Sequence, residues 1–312
     1  MMLARVADSL YWIGRYIERA EHCARLVQVM LNTTLDRSDA AEHAANIART
    51  AVGNADPERT LSPMRLARRL TLDSDNGGAV LTSLAFAREN ARQVRDQITS
   101  ESWERLNLLY LRATGPRVAA SFRADPPTFL SEVVSDLHLF KGAADATMSH
   151  GEGWRFMMTG MHLERALLIA RLLKVSFGDP AASVEDAPSL VAMLRMACAL
   201  EPYLRVYTAD LTARHILEFL LLDEDFPRSV RFCTSRLVGH LEHLSGGRET
   251  GGGDPVRLAG RLNARLAYAD IEEVQGVGAG PLLAAVEDEG RAIHEAMYDA
   301  FVTYPLEARL PG

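Results

Sequence analysis

The sequence predicts an all-α protein of about ten helices, arranged in a compact, bundle-like array with an internal pseudo-twofold duplication. One observation is a motif that occurs twice, at residues 14–26 and 160–172: a glycine, then Glu-Arg-Ala, then Ala-Arg-Leu. Another is the recurrence of apolar residues at every third or fourth position between residues 3 and 31, which is typical of a long helix. No stretch alternates with the period of two that a strand would show.

A second echo follows each motif at a similar distance and supports the duplication. Repeats of this length are duplicated supersecondary blocks rather than the short units of a solenoid. We therefore expect a single domain over residues 1–312, built from two related halves of about 1–150 and 151–312. The echo consists of Leu72, Asp73, Asp75 and Val80 in the first half, and of Leu222, Asp223, Asp225 and Val230 in the second.

Turn-forming residues divide the first half into helices. The first helix extends from about residue 3 to residue 32. Residues 36–57 are rich in alanine and polar residues and contain Gly53, Asn54 and Pro57, so they form either a helix of low stability or a mobile connection. We expect three further helices, over residues 80–98, 103–122 and 129–148.

The second half begins with the second copy of the motif helix, over residues 154–177. Gly178 and Pro180 end this helix, because glycine tolerates a positive φ and proline cannot donate a helix hydrogen bond. The glycine-rich loop at residues 246–255 lacks the Gly-Lys-Ser/Thr ending of a phosphate-binding loop and is interpreted as a connection. The remaining helices are expected over residues 188–200, 203–222, 227–244, 256–274 and 282–302.

Composition argues against several classes of protein. A net charge of -7 disfavours sequence-independent binding to nucleic acid, which needs clustered Lys and Arg. Three widely spaced cysteines indicate neither a disulfide framework nor a structural zinc site, and a cytoplasmic location fits best. There is no Glu-x-x-His pair and no apolar run of roughly 18 residues. Arg5, Asp8 and Arg15 stand where a signal peptide has its apolar core, so we do not expect these residues to act as one. We expect no metal, no cofactor, no nucleic-acid partner and no membrane span.

The first motif helix carries a polar face opposite its apolar seam. With the seam fixed by Ile17 and Ala20, charged residues spaced three and four apart fall on the opposite face, beside Tyr11 and Trp12. Exposure to water would explain the charges but not the aromatic residues. We therefore expect a helix contacted on both sides, with a polar cluster at least partly enclosed. The charged residues of this face are Arg15, Glu18, Arg19, His22 and Arg25.

The Glu-Arg pairs allow two interpretations, which both remain open. A carboxylate withdrawn from water must be paired, and arginine supplies a rigid fork of donors for it. The pairs are then internal struts that tie helices together. Alternatively they form a ligand site, in which Glu18 and Glu164 are the candidates for a general base. The ligand-binding candidates in the two motifs are Arg15, Arg19, His22, Arg25, Arg165 and Arg171.

Two other stretches add candidates. One helix presents charged residues on one side, which form either a solvated ion-pair face or part of a ligand site. Arg228 and Ser229 follow a proline at an expected helix start, where they form either a cap or an anion site with free helix N–H groups. The candidates on the charged helix are Arg88, Glu89, Asn90 and Arg92.

Gly14 and Gly160 occupy equivalent positions in the two motifs. A missing side chain lets another backbone approach closely, at some cost in helix propensity. We therefore expect the two motif helices to cross near these glycines.

Residues 3–21, which read Leu-Ala-Arg-Val-Ala-Asp-Ser-Leu-Tyr-Trp-Ile-Gly-Arg-Tyr-Ile-Glu-Arg-Ala-Glu, closely resemble the opening of bacterial alpha-E domain proteins, a helical family named for its Glu-Arg motif. The resemblance covers essentially the full length, although the segment after Asp36 departs from it. Further matches lie at residues 87–95, 103–107, 163–166 and 219–230.

The resemblance implies a functional context. Members of the family look like companions of ATP-grasp type amide-bond ligases and of transglutaminase-like cysteine peptidases, and some are fused to such ligases. This context implies a role in making or modifying a peptide or an amide-linked metabolite.

Two functions of different classes follow. In the first, the protein is an accessory or partner module of such a system, and its Arg-rich faces hold a peptide or another carboxylate-bearing ligand. In the second, it is a stand-alone enzyme that uses Glu18 or Glu164 as a general base, beside arginines that stabilise an anion on a peptide-like substrate.

Overall fold

The computed structural model describes residues 2–34, 39–51, 61–179, 183–246 and 253–303. These residues form fifteen α-helices and no strand, which confirms the all-α prediction. The eleventh helix continues directly into a π-helical turn at Glu218–Leu222. The helices are α1 (Ala4–Thr33), α2 (Asp39–Ala51), α3 (Pro63–Leu72), α4 (Val80–Gln93), α5 (Ser100–Ala113), α6 (Val118–Ala124), α7 (Pro126–Thr147), α8 (Glu152–Phe177), α9 (Ala187–Met196), α10 (Leu200–Tyr207), α11 (Ala213–Leu217), α12 (Val230–Ser245), α13 (Pro255–Ala267), α14 (Ile271–Val277) and α15 (Ala279–Phe301).

The predicted number of about ten helices was wrong, because three stretches expected as one helix are broken, and because α2 and α3 lie where no definite helix was predicted. Residues 103–122 divide at Pro116, which has no N–H to donate to the helix ladder. Residues 203–222 divide at Thr208, whose φ of 56° lies outside the helical region. Residues 256–274 likewise form parts of two helices, α13 and α14.

The segment whose structure the sequence left open, residues 36–57, contains a helix. Ala44 and Ile47 on α2 are fully buried, and this helix packs against α1, α8 and α9. Packing of an apolar face therefore stabilises α2 in spite of its polar composition. Residues 35–38 and 52–60 lie outside the described residues.

Two long helices, α1 and α8, form the centre of the fold. They pack along each other, and α2, α4, α7, α9, α12 and α15 surround them. Leu10, Ile13 and Ile17 of α1 are fully buried on the predicted seam, while Glu18 on the opposite side is also buried. The prediction of a helix contacted on both sides is confirmed.

The two central helices cross at the predicted glycines. A Cβ atom on Gly14 would overlap the carbonyl oxygen of Met157, and a Cβ atom on Gly160 would overlap the carbonyl oxygen of Tyr11. Each glycine thus faces the residue three positions before the other glycine. The expected crossing is confirmed, and its contacts are reciprocal.

The helices around this crossing correspond in pairs. The helix α4 packs on α1 as α12 packs on α8, and α7 packs on α1 as α15 packs on α8. The turns before α4 and α12 are also alike: an oxygen of Asp73 accepts from the backbone N–H of Asp75, and an oxygen of Asp223 accepts from that of Asp225. This correspondence favours the proposed duplication, which stays a prediction, as does the division of one domain into two halves.

The glycine crossing predicts a large difference between two Gly→Ala substitutions. Gly14→Ala should lower the free energy of unfolding by at least ~1–3 kcal/mol, because the new methyl group meets backbone that cannot rotate away. Gly239→Ala is the matched control, since no atom lies within 4 Å of its added Cβ, and it should be neutral or stabilising by up to ~1 kcal/mol. Urea denaturation followed by circular dichroism measures both. Equal stability of the two variants would contradict the close crossing.

Candidate functional site

The glutamates of the two motifs exchange their arginine partners. Glu18 on α1 accepts from the Nε and Nη2 atoms of Arg165 on α8, each at 2.8 Å. Glu164 on α8 accepts from the Nε atom of Arg19 on α1 at 2.8 Å, and from Arg15 as well. We call these contacts the exchanged pairs. They join α1 to α8 on both sides of the glycine crossing, and neither motif pairs its own Glu with its own adjacent Arg.

On the Glu18 side, further basic residues surround two carboxylates. Lys141 on α7 donates to Glu18 at 2.6 Å and also to Glu21. Arg228, in the turn before α12, donates to Glu18 at 3.2 Å and also to Glu21. Arg25 donates to Glu21 at 3.0 Å. We call Arg25, Lys141, Arg165 and Arg228 the basic cluster.

The three carboxylates are buried and ionised. Glu18, Glu21 and Glu164 are each 1% exposed or less. Burial alone would raise the pKa of Glu18, but the charges of Arg165, Lys141 and Arg228 outweigh it and hold this pKa well below its usual value. Burial likewise opposes ionisation of Glu164, yet Arg15 and Arg19 lower its pKa to about 2.

His22 lies among these charges as a neutral side chain. Burial lowers the pKa of His22 to about 4, and the positive charge of Arg228 acts in the same direction. The imidazole is 2% exposed, and its Nε2 atom has no hydrogen-bond partner among the described residues. A buried polar atom without a partner is uncommon, because no hydrogen bond inside the protein replaces the one that it made to water.

Aromatic residues of α1 lie around Arg15, on the Glu164 side of the network. The Nη1 atom of Arg15 donates to the hydroxyl of Tyr11 at 2.7 Å, and this hydroxyl lies 2.8 Å from Nδ1 of His294 on α15. The rings of Trp12 and Tyr16 stack with their centroids 5.0 Å apart. The guanidinium of Arg15 lies 5.4 Å from the ring centroid of Trp12, within the range of a cation–π contact. The aromatic residues therefore close the polar cluster on one side.

This geometry supports the interpretation of the Glu-Arg pairs as struts. A general base works best when its pKa lies near the working pH. The pKa values of Glu18 and Glu164 are instead displaced downward, and both carboxylates are already bonded to at least two cationic side chains. The catalytic assignment of these two residues stays a prediction that the geometry disfavours.

Other candidate residues lie outside the exchanged pairs. Arg171 pairs with Glu287 on the surface. Ser229 caps α12 by accepting from the backbone N–H of Phe232 at 3.0 Å, as the capping interpretation expects. The candidates on α4 bond locally: Arg88 donates to Asn107, Asn90 donates to the carbonyl of Phe86, and Arg92 pairs with the exposed Glu89.

Sequence reasoning missed three members of the network. Glu21, His138 and Lys141 were not among the candidates, yet Lys141 bridges two carboxylates, and Nε2 of His138 lies 3.1 Å from an oxygen of Glu21. One signal could have found Lys141: it and Lys174 are the only lysines in a chain whose other basic residues are arginine or histidine. Glu21 lies within the first motif, directly after Glu-Arg-Ala, and projects to the same side as Glu18, three residues earlier.

The described residues contain neither a membrane-spanning helix nor a cluster of metal ligands. No helix there is both long and apolar enough to cross a membrane. No group of three or more His, Cys, Asp or Glu side chains in these ranges is arranged to hold a metal ion.

The fold and the exchanged pairs define an all-helical domain built around a Glu-Arg motif. The family model that matches residues 2–302 has the same description, a predicted alpha-helical domain with a conserved ER motif. The chain belongs to the Alpha-E family.

Curated relatives include uncharacterised proteins of Mycobacterium bovis and Mycobacterium tuberculosis, each 26% identical to this chain over 343 residues. The similarity covers 99% of this chain but 37% of each relative, so the chain spans little more than a third of their length. No solved structure matches the chain.

A strut predicts that neutralising a buried glutamate destabilises the fold. Glu18→Gln keeps the shape of the side chain but removes the carboxylate that pairs with Arg165 and leaves Lys141 and Arg228 to share Glu21, and should lower the free energy of unfolding by ~3–5 kcal/mol. Glu89→Gln breaks an exposed pair with Arg92 and should change it by less than ~0.5 kcal/mol. Urea denaturation compares the two. A Glu18→Gln protein as stable as the Glu89→Gln control would refute the strut.

Buried neutral histidine predicts a loss of stability in mild acid. The folded chain keeps His22 neutral down to about pH 4, whereas the unfolded chain takes up a proton near pH 6.5, so the free energy of unfolding falls as the pH drops through this window. The slope from this residue is at most ~1.4 kcal/mol per pH unit.

The variant His22→Leu, which copies Leu168 of the second motif, should flatten this slope. The pKa values of His162 and His240 are also lowered, mainly by burial, so part of the slope should remain. Urea denaturation at several pH values between about 4.5 and 7.5 measures the difference. An unchanged slope in the variant would show that the pKa of His22 is the same in the folded and the unfolded chain, and would contradict a buried neutral histidine.

Proposed function

We propose that this Alpha-E domain is a non-catalytic partner module of an ATP-grasp type amide ligase, a transglutaminase-like protein, or both. In this role it serves a cytoplasmic system that makes or modifies a peptide or an amide-linked metabolite. The proposal rests on the exchanged pairs, because both glutamates of the motif, Glu18 and Glu164, are already bonded to arginines inside the protein. A motif built this way stabilises a scaffold and orients its arginines.

The size of the relatives supports a partner role. The similar region covers almost all of this chain but 37% of each mycobacterial relative. In those proteins a domain like this one is covalently attached to a much longer stretch of chain. Covalent attachment raises the effective concentration of one module next to another, as expected for domains that work together.

The alternative, a stand-alone enzyme, requires two properties of Glu18 or Glu164 that the partner role does not. It needs a carboxylate that can accept a proton near neutral pH, whereas burial of Glu164 is outweighed by two arginines that lower its pKa to about 2. It also needs substrate access to carboxylates that are about 1% exposed. Both requirements favour the partner role.

Affinity purification tests the proposal directly. The tagged chain is purified from its own cells, and co-purifying proteins and small molecules are identified by mass spectrometry, with the tag alone as control. We expect a stoichiometric ATP-grasp type or transglutaminase-like protein, confirmed by tagging that protein in turn. A retained small molecule with no protein partner would instead favour the stand-alone enzyme.

A further inference from the structure

We propose that the basic cluster binds an oxyanion, the carboxylate or phosphate group of a ligand, at the edge where Arg25 and His138 reach solvent. The inference rests on the proposed function for the identity of the molecule that carries this group. The existence of the site is independent, since it follows from charge and hydrogen-bond capacity within this chain.

The first argument is an imbalance of charge. Each of the four positive side chains of the basic cluster contacts Glu18 or Glu21, but the four share only these two carboxylates, so the cluster has an excess of two positive charges. These four side chains are only 11–19% exposed, which leaves water little room to solvate them. Like charges that lie close together in a partly buried cluster repel one another, and a bound anion would offset this repulsion. The imbalance is more telling in a chain whose net charge is -7.

The second argument is unused donor capacity. An arginine has five N–H donors and a lysine has three. Arg228 directs two contacts at the glutamates, Lys141 directs two, and Arg25 directs one. Donors therefore remain on each of these side chains. Arg228 also directly precedes Ser229, the N-cap of the 16-residue helix α12, whose positive dipole end adds to the attraction for an anion.

The third argument is the unpartnered nitrogen of His22. Its Nε2 atom is buried without a hydrogen bond, next to the network, where the charges of Arg228, Glu18 and Glu21 all influence its pKa. A neutral imidazole nitrogen can donate to an anion or accept from a ligand hydroxyl. Since this atom has no hydrogen-bond partner within the described residues, it is free to bond to a ligand group that enters the cluster.

The open edge of the cluster gives an oxyanion its approach. The side chain of His138 is 51% exposed, and its Nε2 atom lies 3.1 Å from Nη2 of Arg25. On the Glu164 side, Tyr11, Trp12 and His294 pack around Arg15, while Arg19 is 25% exposed. That side has two arginines for one carboxylate, an excess of one positive charge, whereas the basic cluster has an excess of two. The larger excess makes the basic cluster the stronger candidate for an anion.

Calorimetric titration of the 312-residue chain tests the site without any partner protein. The probes are inorganic phosphate, N-acetylglycine as a peptide carboxylate, and N-acetylglycinamide as its neutral analogue, all at constant ionic strength. We expect saturable binding of at least one anion and none of the amide. Binding of phosphate indicates a phosphorylated ligand, whereas binding of N-acetylglycine indicates a peptide carboxylate.

Matched variants locate the binding. Arg25→Gln should weaken the affinity at least about tenfold, through loss of a charge-assisted donor. Arg171→Gln, at the equivalent position of the second motif, alters a surface pair and should stay within about twofold of the parent chain. No saturable binding of either anion, or equal affinity in the Arg25→Gln protein, overturns the site. If Arg25→Gln does not fold, the comparison of N-acetylglycine with its amide on the parent chain decides.

This titration separates the two proposals. Anion binding by the isolated chain, with no ligase or peptidase co-purifying, would support the site and reject the partner role. A stoichiometric partner with no anion binding would reject the site and leave the partner role intact.

Discussion

The close crossing of α1 and α8 is the constraint on which the rest of the structure depends. Because Gly14 and Gly160 have no side chains, the two backbones touch, and each helix brings its Glu-Arg dipeptide within reach of the other. That distance fixes which charges can pair: Glu18 meets Arg165, and Glu164 meets Arg19. A wider separation would leave these charges buried and unpaired, which would strongly destabilise the fold. The exchanged pairs therefore depend on the two glycines.

Much of this arrangement could be predicted from the sequence. The contacts that could not be predicted join residues that are far apart in the chain. The repeat predicted the crossing, and the aromatic residues beside charges predicted enclosure on both sides. The exchange of partners could not be predicted, because it depends on the rotation of one helix against the other. Lys141 and Arg228 come from α7 and from the turn before α12, which helical periodicity on α1 does not locate. The helix count failed for a local reason, since a positive φ at Thr208 is not visible in the apolar pattern.

The network also shows why a strut and a binding site are not exclusive. A buried carboxylate that accepts several donors holds the arginines around it in fixed positions. An arginine already held in place loses less conformational entropy when a ligand arrives, so the same anion binds more tightly. Glu18 and Glu21 can therefore serve a ligand that they never touch, by positioning Arg25, Lys141 and Arg228.

The two ends of the network differ in a way that duplication alone would not produce. The first motif has Arg15 and His22 where the second has Met161 and Leu168, and the turn before α12 has Arg228 where the turn before α4 has Gly78. Arg15 adds a second arginine beside Glu164 and bonds to Tyr11, whereas Arg228 adds positive charge beside Glu18 and Glu21. If the halves arose from one ancestral unit, the shared residues hold the helices together, and the differing residues make one side a place for an anion.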